Sequence, residues 1–491
     1  MKIEITLVLC WCLSALSTGP AGTAQQASSR SDLDFHSSNA PVDAAFAWAK
    51  QQAKAYVRTE SEIGPWYEAA LPGRNAFCMR DVAHQTTGAA ALGLFAANRN
   101  MLTRFAASAA ASRNWAAFWE IDGKGMPSRF DYRSDDDFWF NLPANFDVLY
   151  AAVRMWHWTG DDFYQSDPRL QVFFRKTLTD YMTQWQLQPE MILTRPRIAN
   201  GRLAKGEFVA SRGIPSYFES PKKFNVGSDL LAAEFRAIRS YQEIAALPED
   251  KDLAAHLQPA ADAIQHILET VAWSPQQHHF YAVTEGGQHG YGSADTYVLY
   301  FDAAKSPQHI RGALDFISDP AYWKTINIEE ESYVPLVLFR YGRTEAAWRV
   351  LLDLAAPGKA RREYPEVSYA VIAALISGAM GIEAAHARDV FDVQTIAQPM
   401  TKSDTMSVFS LQIKNNVVDV ANMGDTRTLF TNRKGSAIRW KAAFTGDRAQ
   451  LKVEGRWRRA EHGVMPGGVP ISWVILSVPP GSTITVSTED Q

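Results

Sequence analysis

Cysteine is scarce in this sequence, which has three cysteines in 491 residues. Cys10 and Cys12 lie close to the N-terminus, so removal of that segment would leave Cys78 alone, and no internal disulfide could form. A small secreted domain held together by disulfides is therefore excluded, and a larger protein with its own core is favoured. Cys78 could act as a nucleophile, but a lone cysteine between Phe77 and Met79 is more typical of a buried apolar position.

Long runs of positive charge and long apolar runs are also absent. Lys and Arg total 49 against 53 Asp and Glu, a net charge of −4, so nucleic acid is not an expected partner. The one apolar stretch, from Ile5 to about Leu16, follows Lys2 and precedes small residues that end at Ala24. This order is typical of a secretory signal peptide over residues 1–24, and the stretch is short for a membrane span. We therefore expect a periplasmic or secreted protein with no membrane contact after cleavage.

What the chain has in quantity is helical periodicity. Apolar residues make up 46% of the sequence, and from residue 43 to about 385 they recur with helical spacing. The spacing predicts twelve helices, over residues 43–58, 79–97, 101–119, 142–159, 168–186, 226–246, 250–272, 293–304, 307–317, 330–341, 343–354 and 367–381. The even-numbered helices are rich in small residues, which favours close packing on all sides, whereas the odd-numbered ones are amphipathic. This alternation predicts a mainly α fold, an (α/α)6 toroid of six hairpins.

Beyond about residue 388 the pattern changes to alternating apolar and polar residues, as in "MSVFSLQI" (406–413), with Gly, Asn, Asp and Pro between the runs. Such alternation predicts a C-terminal antiparallel β-sandwich domain. The predicted organisation is therefore a signal peptide (1–24), a loose polar lead-in (25–42), a catalytic barrel (43–388) and the β-sandwich (389–491).

Long connections precede most of the even-numbered helices, so in a toroid they gather at one end. They cover residues 71–81, 128–140, 211–225, 284–295, 327–333 and 359–369, and each carries charge. Because functional residues concentrate on loops held by a rigid scaffold, we expect the active site at this end.

The stretch "RSDDDFWFNLPAN" (133–145) combines clustered carboxylates with clustered aromatic rings. Rings stack on sugar faces and carboxylates supply acid or base chemistry, so the stretch favours a sugar-binding cleft. We expect the general acid among Asp135, Asp136 and Asp137, and choose Asp136 for its central place. The alternative interpretation is a helix cap within a solvated charge cluster.

Three stretches resemble the six-hairpin glycosidase superfamily. "LPGRNAFCMRDVAHQ" (71–85) looks like the Arg-Asp motif that opens an inner helix in exo-acting α-mannosidases and debranching-type members. "YRSDDDFWFNLPAN" (132–145) is similar to a stretch of α-1,6-mannosidases, although Ser134 follows Arg133 without the proline of that family. "REYPEVSYAVIAALISG" (362–378) resembles the last hairpin, in which a Glu precedes the final inner helix. The trailing β domain is similar to that of α-L-rhamnosidase-like members.

The resemblance implies an inverting glycosidase with an acid and a base on two carboxyl groups. It favours Glu366 as the base, followed by Glu330, which is one of three consecutive glutamates. It places Arg80 and Asp81 in the −1 subsite, for which the alternative is a buried salt bridge closing the barrel. The remaining candidates for substrate binding are Arg74, His84, Trp139, Asn145, Tyr291 and Glu363.

The expected function is that of an exo-acting glycoside hydrolase that removes a terminal sugar from a plant or microbial oligosaccharide or polysaccharide. One alternative on the same toroid is a polysaccharide lyase, with Tyr291 or His289 as base and Arg74 or Asn145 neutralising a uronate. A second alternative is a non-catalytic carbohydrate-binding protein. No spacing of His, Glu and Asp indicates a transition-metal site, and we expect neither a metal nor a cofactor. The alternative left open is Ca²⁺, which a six-hairpin pocket can hold through carboxylates.

Overall fold

Helices fill the chain from residue 40 to residue 379, and strands dominate beyond it. The structure, a computed structural model, describes residues 32–200, 208–218, 220, 222–285, 289–385 and 391–489, except the side chain of His289. The predicted signal peptide and the first part of the predicted lead-in lie outside these ranges. Within them, no helix is both long enough and apolar enough to cross a bilayer.

The helical part begins just before the predicted start at residue 43. Its α-helices are α1 (Ala40–Ala55), α2 (Met79–Ala91), α3 (Phe95–Ser108), α4 (Pro143–Thr159), α5 (Phe163–Ser166), α6 (Pro168–Lys176), α7 (Met182–Gln184), α8 (Ser228–Ile244), α9 (Pro248–His256), α10 (Gln258–Ile267), α11 (Asp295–Tyr300), α12 (Pro307–Ser318), α13 (Pro320–Trp323), α14 (Ile328–Glu331), α15 (Val334–Arg340), α16 (Thr344–Leu354) and α17 (Pro365–Ala373). Single π-helical stretches continue α6, α10 and α17, over Thr177–Tyr181, Leu268–Ala272 and Ala374–Ala379.

Short strands lie between the helices and longer ones form the C-terminal domain. They are β1 (Asp34–Ser37), β2 (Val57–Arg58), β3 (Trp66–Tyr67), β4 (Ala76–Cys78), β5 (Glu120–Asp122), β6 (Phe140–Asn141), β7 (Arg212–Ile214), β8 (Val226–Gly227), β9 (Trp273–Ser274), β10 (His279–Phe280), β11 (Val283–Glu285), β12 (His289–Tyr291), β13 (Glu383–Ala384), β14 (Val393–Ile396), β15 (Thr405–Ile413), β16 (Asn416–Met423), β17 (Arg427–Lys434), β18 (Ile438–Thr445), β19 (Gln450–Val453), β20 (Arg456–Arg459), β21 (Glu461–Val464), β22 (Pro470–Val478) and β23 (Ser482–Ser487).

Six helices contact one another in turn: α2 packs on α4, α4 on α8, α8 on α11, α11 on α15, α15 on α17, and α17 on α2. We call these six the inner helices. The longer remaining helices pack on them from one side only, as α10 does on α8 and α16 does on α15 and α17. Burial follows this division, because all nine residues of α17 are buried but only three of the ten in α10.

Small residues permit the close packing that the sequence predicted for the inner helices. A Cβ atom at Gly88 of α2 would lie 2.1 Å from the carbonyl oxygen of Tyr369 in α17, so only glycine fits there. Tyr369 in turn donates from its hydroxyl to the carbonyl oxygen of Ala53 at 3.1 Å, which ties α17 to α1. The last hairpin is thereby joined to the first.

The boundaries of the second and third predicted helices were wrong. Helix α2 ends at Ala91 instead of residue 97, because Gly93 adopts a left-handed conformation with φ of +75° and turns the chain. Helix α3 then begins at Phe95 and ends at Ser108, well before the predicted residue 119. The seventh predicted helix, over 250–272, is divided into α9 and α10.

The C-terminal domain contains two sheets. One has seven strands in the order β1-β15-β16-β17-β23-β19-β20, and the other has five in the order β13-β14-β18-β22-β21. Phe430 from the first sheet stacks on Trp440 from the second, with ring centroids 5.0 Å apart, so the sheets pack face to face. The pairing is antiparallel apart from β14 and β18, which run parallel, and this differs from the prediction of a purely antiparallel domain.

The predicted loose lead-in differs most clearly from the structure. Residues Asp34–Ser37 form β1, which pairs with β15 and so adds an edge strand to the seven-stranded sheet. Leu33 and Phe35 are buried, and the ring of Phe35 packs on Phe46 of α1 with centroids 4.9 Å apart. This short segment therefore connects the C-terminal domain with the first helix.

The C-terminal domain docks on the helical part through hydrogen bonds, and residues 33–491 form one compact unit. The side chain of Gln398 donates to the carbonyl oxygens of Phe339 (2.9 Å) and Gly378 (3.3 Å), both at the C-terminal ends of inner helices. The backbone N–H of Lys414 donates to the carbonyl oxygen of Trp158, at the same end of α4. The opposite ends of the inner helices, where they begin, are left to the long connections.

Candidate active site

The inner helices carry ionisable side chains at their N-terminal ends. The first turns of α2, α8 and α17 each hold a carboxylate, and α14 holds several directly before α15. At α2 the pairing of β4 with β5 holds Cys78 extended and so sets the direction in which the helix begins. We call the following five residues the carboxylate cluster: Arg80, Asp81, Asp229, Glu330 and Glu366.

The charges of most residues in this cluster act on the hydroxyl of Tyr297 in α11. Burial raises the pKa of its hydroxyl well above the ordinary value, and the charge of Glu330 raises it further. Asp229 and Glu366 act in the same direction and Arg80 in the opposite one. These groups therefore lie near enough to Tyr297 for their charges to act on its hydroxyl.

Arg80 and Asp81 form an ion pair, with Arg80 Nε 3.4 Å from Asp81 Oδ1. Their side chains retain 15% and 12% of their exposure, so the pair is nearly but not fully closed to solvent. The Arg80 guanidinium also lies over the ring of Tyr217, 5.6 Å from its centroid. Burial raises the pKa of Asp81 even though Arg80 lowers it.

Glu366 is fully buried, and neither of its carboxyl oxygens has a hydrogen-bond partner among the residues that the structure describes. Burial and the neighbouring Asp81 carboxyl raise the pKa of Glu366 well above its ordinary value, while Arg80 lowers it. The charge of Asp81 therefore disfavours ionisation of Glu366, because two like carboxylates near each other do not both ionise readily.

Tyr217 donates hydrogen bonds to both Asp229 and Asp147. Asp229 accepts hydrogen bonds from the Tyr217 backbone N–H and from the Ser216 hydroxyl (2.8 Å), whereas Asp147 accepts one from the Tyr217 hydroxyl at 3.3 Å. Burial raises the pKa of Asp229 to about 6 in spite of these hydrogen bonds. Burial likewise raises the pKa of Asp147 to about 7, against the lowering effect of Arg154.

Glu330 has the properties of a proton donor near neutral pH. The Tyr322 hydroxyl donates to its Oε1 at 2.6 Å. Burial raises the pKa of Glu330 to about 7, with Asp229 and Asp295 adding to the effect of burial. Glu330 therefore holds its proton closer to neutral pH than an ordinary glutamate does.

The Asp135–Asp137 stretch makes contacts outside this cluster. Asp135 accepts hydrogen bonds from Ser112, Arg113 and the Tyr132 hydroxyl, and these outweigh burial and lower its pKa to about 2. Asp137 pairs with Arg133 (3.1 Å) and accepts from the Val209 N–H (2.8 Å), while the side chain of Asp136 is exposed.

The rings that follow these carboxylates are buried. Phe138, Trp139 and Phe140 keep 2%, 1% and 0% of their exposure, so they belong to the core and offer no free face to a sugar. Trp139 packs edge-on against Trp119, with centroids 4.7 Å apart, and its indole N–H donates to Asn200.

Arg74 lies beside a second acidic pair. Its guanidinium is 2.8 Å from Glu120 and 3.8 Å from Asp131, and both carboxylates are buried. Because Glu120 is paired with Cys78 across β4 and β5, this group lies next to the start of α2. Burial raises the pKa of the Cys78 thiol well above its ordinary value, which keeps it protonated.

Two predicted site residues have structural partners instead. His84 is buried, stacks on Tyr333 with centroids 3.6 Å apart and lies 3.0 Å from the Ser332 hydroxyl; burial lowers its pKa well below the ordinary value. Asn145 is fully buried, and its amide contacts the Ala117 N–H and the Trp115 carbonyl, which hold the connection after α3.

The other predicted residues lie on the long connections. Tyr291 is partly exposed, 3.3 Å from the Ser220 hydroxyl, with Lys222 over its ring. Glu363 is exposed. Its neighbour in the same connection, Arg361, pairs with Glu329 at 2.6 Å.

Sequence reasoning missed Asp229, Tyr217, Tyr297 and Asp147. Asp229 could have been found, because "GSDLL" opens an inner helix as "MRDVA" does in α2. Asp147 lies within the apolar stretch "NFDVLYAAV", and only its burial distinguishes it from a surface residue. In the described part of the chain, no group of three or more His, Cys, Asp or Glu side chains is arranged to hold a metal ion.

No protein-family model and no curated protein sequence matches the chain. Solved structures do match in fold. The α-L-rhamnosidase of Dictyoglumus thermophilum superposes with a TM-score of 0.59 at 12% identity, over 93% of this chain and 50% of that one. A GH78 family rhamnosidase of Bacillus sp. GL1 gives 0.55 at 9% identity, over 81% and 40%.

A putative kojibiose phosphorylase from the human microbiome gives a TM-score of 0.50 at 9% identity, over 92% of this chain and 68% of that one. The chain spans half or less of the length of the two rhamnosidases. The likeness is thus to proteins with the six-hairpin glycosidase type of fold. At these identities it concerns the fold alone.

Proposed function

We propose that the helical part is an (α/α)6 toroid with its active site at the end where the inner helices begin. The contacts that lead from α2 through the other inner helices and back to α2 support a closed ring. The fold of the rhamnosidases that it resembles supports the same arrangement. The long connections then line the mouth of the site.

The protein acts, in this proposal, as a glycoside hydrolase. The observation that carries it is the convergence of Arg80 with four carboxyl groups, of which Glu330 has a pKa of about 7. Hydrolysis of a glycosidic bond needs one carboxyl that is protonated and one that is ionised at the same pH. Groups with raised and unequal pKa values at one point supply such a pair.

Glu330 is the proposed general acid, and Glu366, paired with Asp81, is the proposed base. In this role one of the two carboxyl groups of the Asp81–Glu366 pair is ionised and accepts the proton from the attacking water. Arg80 positions Asp81, and its positive charge offsets the negative charge of the pair. Inversion of the anomeric centre and exo action are further parts of the proposal, and they rest on the motifs that resemble those of exo-acting six-hairpin glycosidases.

The substrate is proposed to be a plant or microbial glycan outside the cytoplasm, in line with the signal peptide expected over residues 1–24. Expression of the full chain, followed by N-terminal sequencing of the exported protein, tests this location. A mature N-terminus near residue 25 is the expected result. A protein retained whole in the cytoplasm would contradict it.

The experiment on function compares wild-type activity on a panel of aryl glycosides and plant polysaccharides with that of Glu330→Gln and Glu366→Gln. Loss of the acid should lower turnover on a natural glycan by roughly 10²–10⁴-fold. It should cost far less on an aryl glycoside whose leaving group needs no protonation. Glu366→Gln should impair both substrate types, because water must still be activated. Glu345→Gln, at an exposed glutamate of α16, is the matched control.

The same panel tests the Asp135–Asp137 stretch as a source of the acid. Asp136→Asn should keep near-normal turnover if Glu330 is the acid. A large loss in Asp136→Asn with little change in Glu330→Gln would instead restore Asp136 to that role. Products that absorb in the ultraviolet as unsaturated uronides would show elimination in place of hydrolysis.

A further inference from the structure

A cavity of about 850 Å³ lies far from the carboxylate cluster along the inner helices, where they end and the C-terminal domain covers them. Its wall includes the second halves of α4 and α8, the end of α15, and Lys441, Met465 and Ile471 from the C-terminal domain. A volume of this size accommodates a small molecule such as a mono- or disaccharide. The proposed hydrolysis makes no use of it.

Three arginines from three inner helices meet in this cavity around Tyr150. The guanidinium carbons of Arg154 and Arg236 lie 4.4 Å and 4.8 Å from the centre of its ring. Arg340 lines the same cavity and donates to the carbonyl oxygen of Tyr300 at 3.0 Å. Among the described residues, these three arginines form one ion pair with a distance of 4.0 Å or less. It joins Arg236 to Glu243 at 3.4 Å.

Positive charge exceeds negative charge in the wall. Glu243 is shared with His157 (2.9 Å), and Asp302 accepts from the Tyr341 hydroxyl at 3.1 Å, so both acids have other partners. The charged residues of the wall are Arg154, Arg236, Arg239, Arg340 and Lys441 against Glu243, Asp302 and Glu383. Burial by itself would raise the pKa of Tyr150, but Arg340, Arg236 and Arg154 outweigh it and lower that pKa.

We propose that this cavity binds an anionic monosaccharide, whose carboxylate or phosphate group the arginines hold and whose hydroxyl groups face Ser377 and Gln394 in the wall. Guanidinium groups offer paired donors that match both kinds of oxyanion. Hydroxyl and amide side chains offer both donors and acceptors, which suit the hydroxyl groups of a sugar. The ligand would bridge the helical part and the C-terminal domain, because both contribute to the wall. The competing role for the arginines is structural: they would only satisfy carbonyl groups at helix ends.

Titration calorimetry of the full protein with glucuronate, glucose 6-phosphate, inorganic phosphate and glucose tests the proposal. At least one of the two anionic sugars should bind, and glucose should bind at least tenfold more weakly. Glucuronate and glucose 6-phosphate separate the two sources of the oxyanion. No binding by either sugar, or equal binding by glucose, would overturn the proposal, and binding of inorganic phosphate alone would remove its sugar component.

Variants locate the binding. Arg236→Gln and Arg340→Gln should each weaken the bound sugar roughly 10–100-fold, the usual loss for a hydrogen bond to a charged group. Arg349→Gln, a half-exposed arginine of α16 that pairs with Glu345, is the matched control and should bind normally. Arg236→Lys retains the charge and serves if a glutamine variant does not fold. Unchanged affinity in every cavity variant that folds would place the ligand elsewhere. The measurement does not involve hydrolysis, so its failure and that of the proposed function are distinguishable.

Discussion

At the scale of single residues, the buried carboxyl groups make the protein sensitive to pH. Asp147 has no exposed surface, and burial raises its pKa to about 7. The native state therefore binds this proton more tightly than the unfolded chain does, in which an aspartate titrates near 4. The stabilisation from the bound proton is complete below about pH 4 and is lost as the pH rises through about 7. Glu330 and Asp229 act in the same direction.

Replacement of Asp147 by asparagine tests this dependence. We expect the free energy of unfolding of the wild type to fall as the pH rises from about 4 to about 7, and we expect a smaller fall in the variant. A shift of about 3 pH units corresponds to roughly 4 kcal/mol at most. Urea denaturation at several pH values measures both proteins. Equal slopes in the two proteins would show that Asp147 is not protonated in the native state.

Gly88 marks the closest approach between two inner helices. Gly88→Ala would place its methyl group 2.1 Å from the Tyr369 carbonyl oxygen, so α2 and α17 must move apart. We expect the variant to lose about 1–3 kcal/mol or more of stability, which urea denaturation would measure. Gly358→Ala, where the new methyl group meets no atom within 4 Å, is the control and should unfold like the wild type.

The sequence showed which residues have side chains suited to a site, but it was harder to predict which of them lie there. The sequence favoured "DFWF" as a cleft wall because carboxylates and rings are adjacent there, but adjacency does not reveal burial. The chain passes between packed elements at β6, so Phe138, Trp139 and Phe140 are all covered, although neighbours on a strand face opposite sides. The residues predicted to converge on one cavity, because they open inner helices or lie just before them, were Arg80, Asp81, Asp136, Tyr291, Glu330 and Glu366. The structure pairs Arg80 with Asp81 and places Glu330 and Glu366 near enough to Arg80 for their charges to interact. Their convergence on one cavity stays a prediction.

At the scale of elements, helical periodicity predicted the helices well where turns were marked. Helix α4 runs from Pro143 to Thr159, almost as predicted, because a proline opens it and Gly160 ends it in a left-handed conformation. Strand β1 was missed, since four residues among polar neighbours have no recognisable pattern. Its partner β15 lies hundreds of residues away in the sequence, and a local sequence pattern carries no information about such pairing.

One buried side chain, that of Gln398, makes several of the hydrogen bonds by which the C-terminal domain docks. Its amide nitrogen donates to two carbonyl groups at the ends of inner helices, and its amide oxygen accepts from the Thr344 hydroxyl at 2.8 Å. Gln398→Met keeps the volume but removes these three hydrogen bonds, while the carbonyl oxygens of Phe339 and Gly378 keep the N–H groups of Gly342 and Gly381 as donors. We expect a loss of about 2–4 kcal/mol, since each hydrogen bond contributes about 0.5–1.5 kcal/mol. Thermal unfolding measures it, with Gln394→Met as the partly exposed control. An unchanged melting temperature would contradict the role given to Gln398.

At the scale of the whole molecule, β1 joins the N-terminal end of the described chain to the C-terminal domain. Removal of residues up to Ser38 would uncover Phe46 and withdraw Leu33 and Phe35 from the core. Two large apolar side chains contribute roughly 3–6 kcal/mol when fully buried, so we expect a marked fall in the unfolding temperature compared with a chain that begins at Asp32. Equal unfolding temperatures would show that the edge strand is dispensable.

The pairing of β1 with β15 also determines when the seven-stranded sheet can be completed during synthesis of the chain. The hydrogen bond from Thr405 to Ser38 joins residues 367 positions apart, and the helical part lies between them. At 5–20 residues per second, a ribosome needs roughly 20–70 s to make that stretch. During this interval Leu33 and Phe35 have no sheet on which to pack, while the helices of the inner set are being made. The edge of the seven-stranded sheet is therefore completed only after β15 has been synthesised, and a nascent chain must shield these two side chains until then.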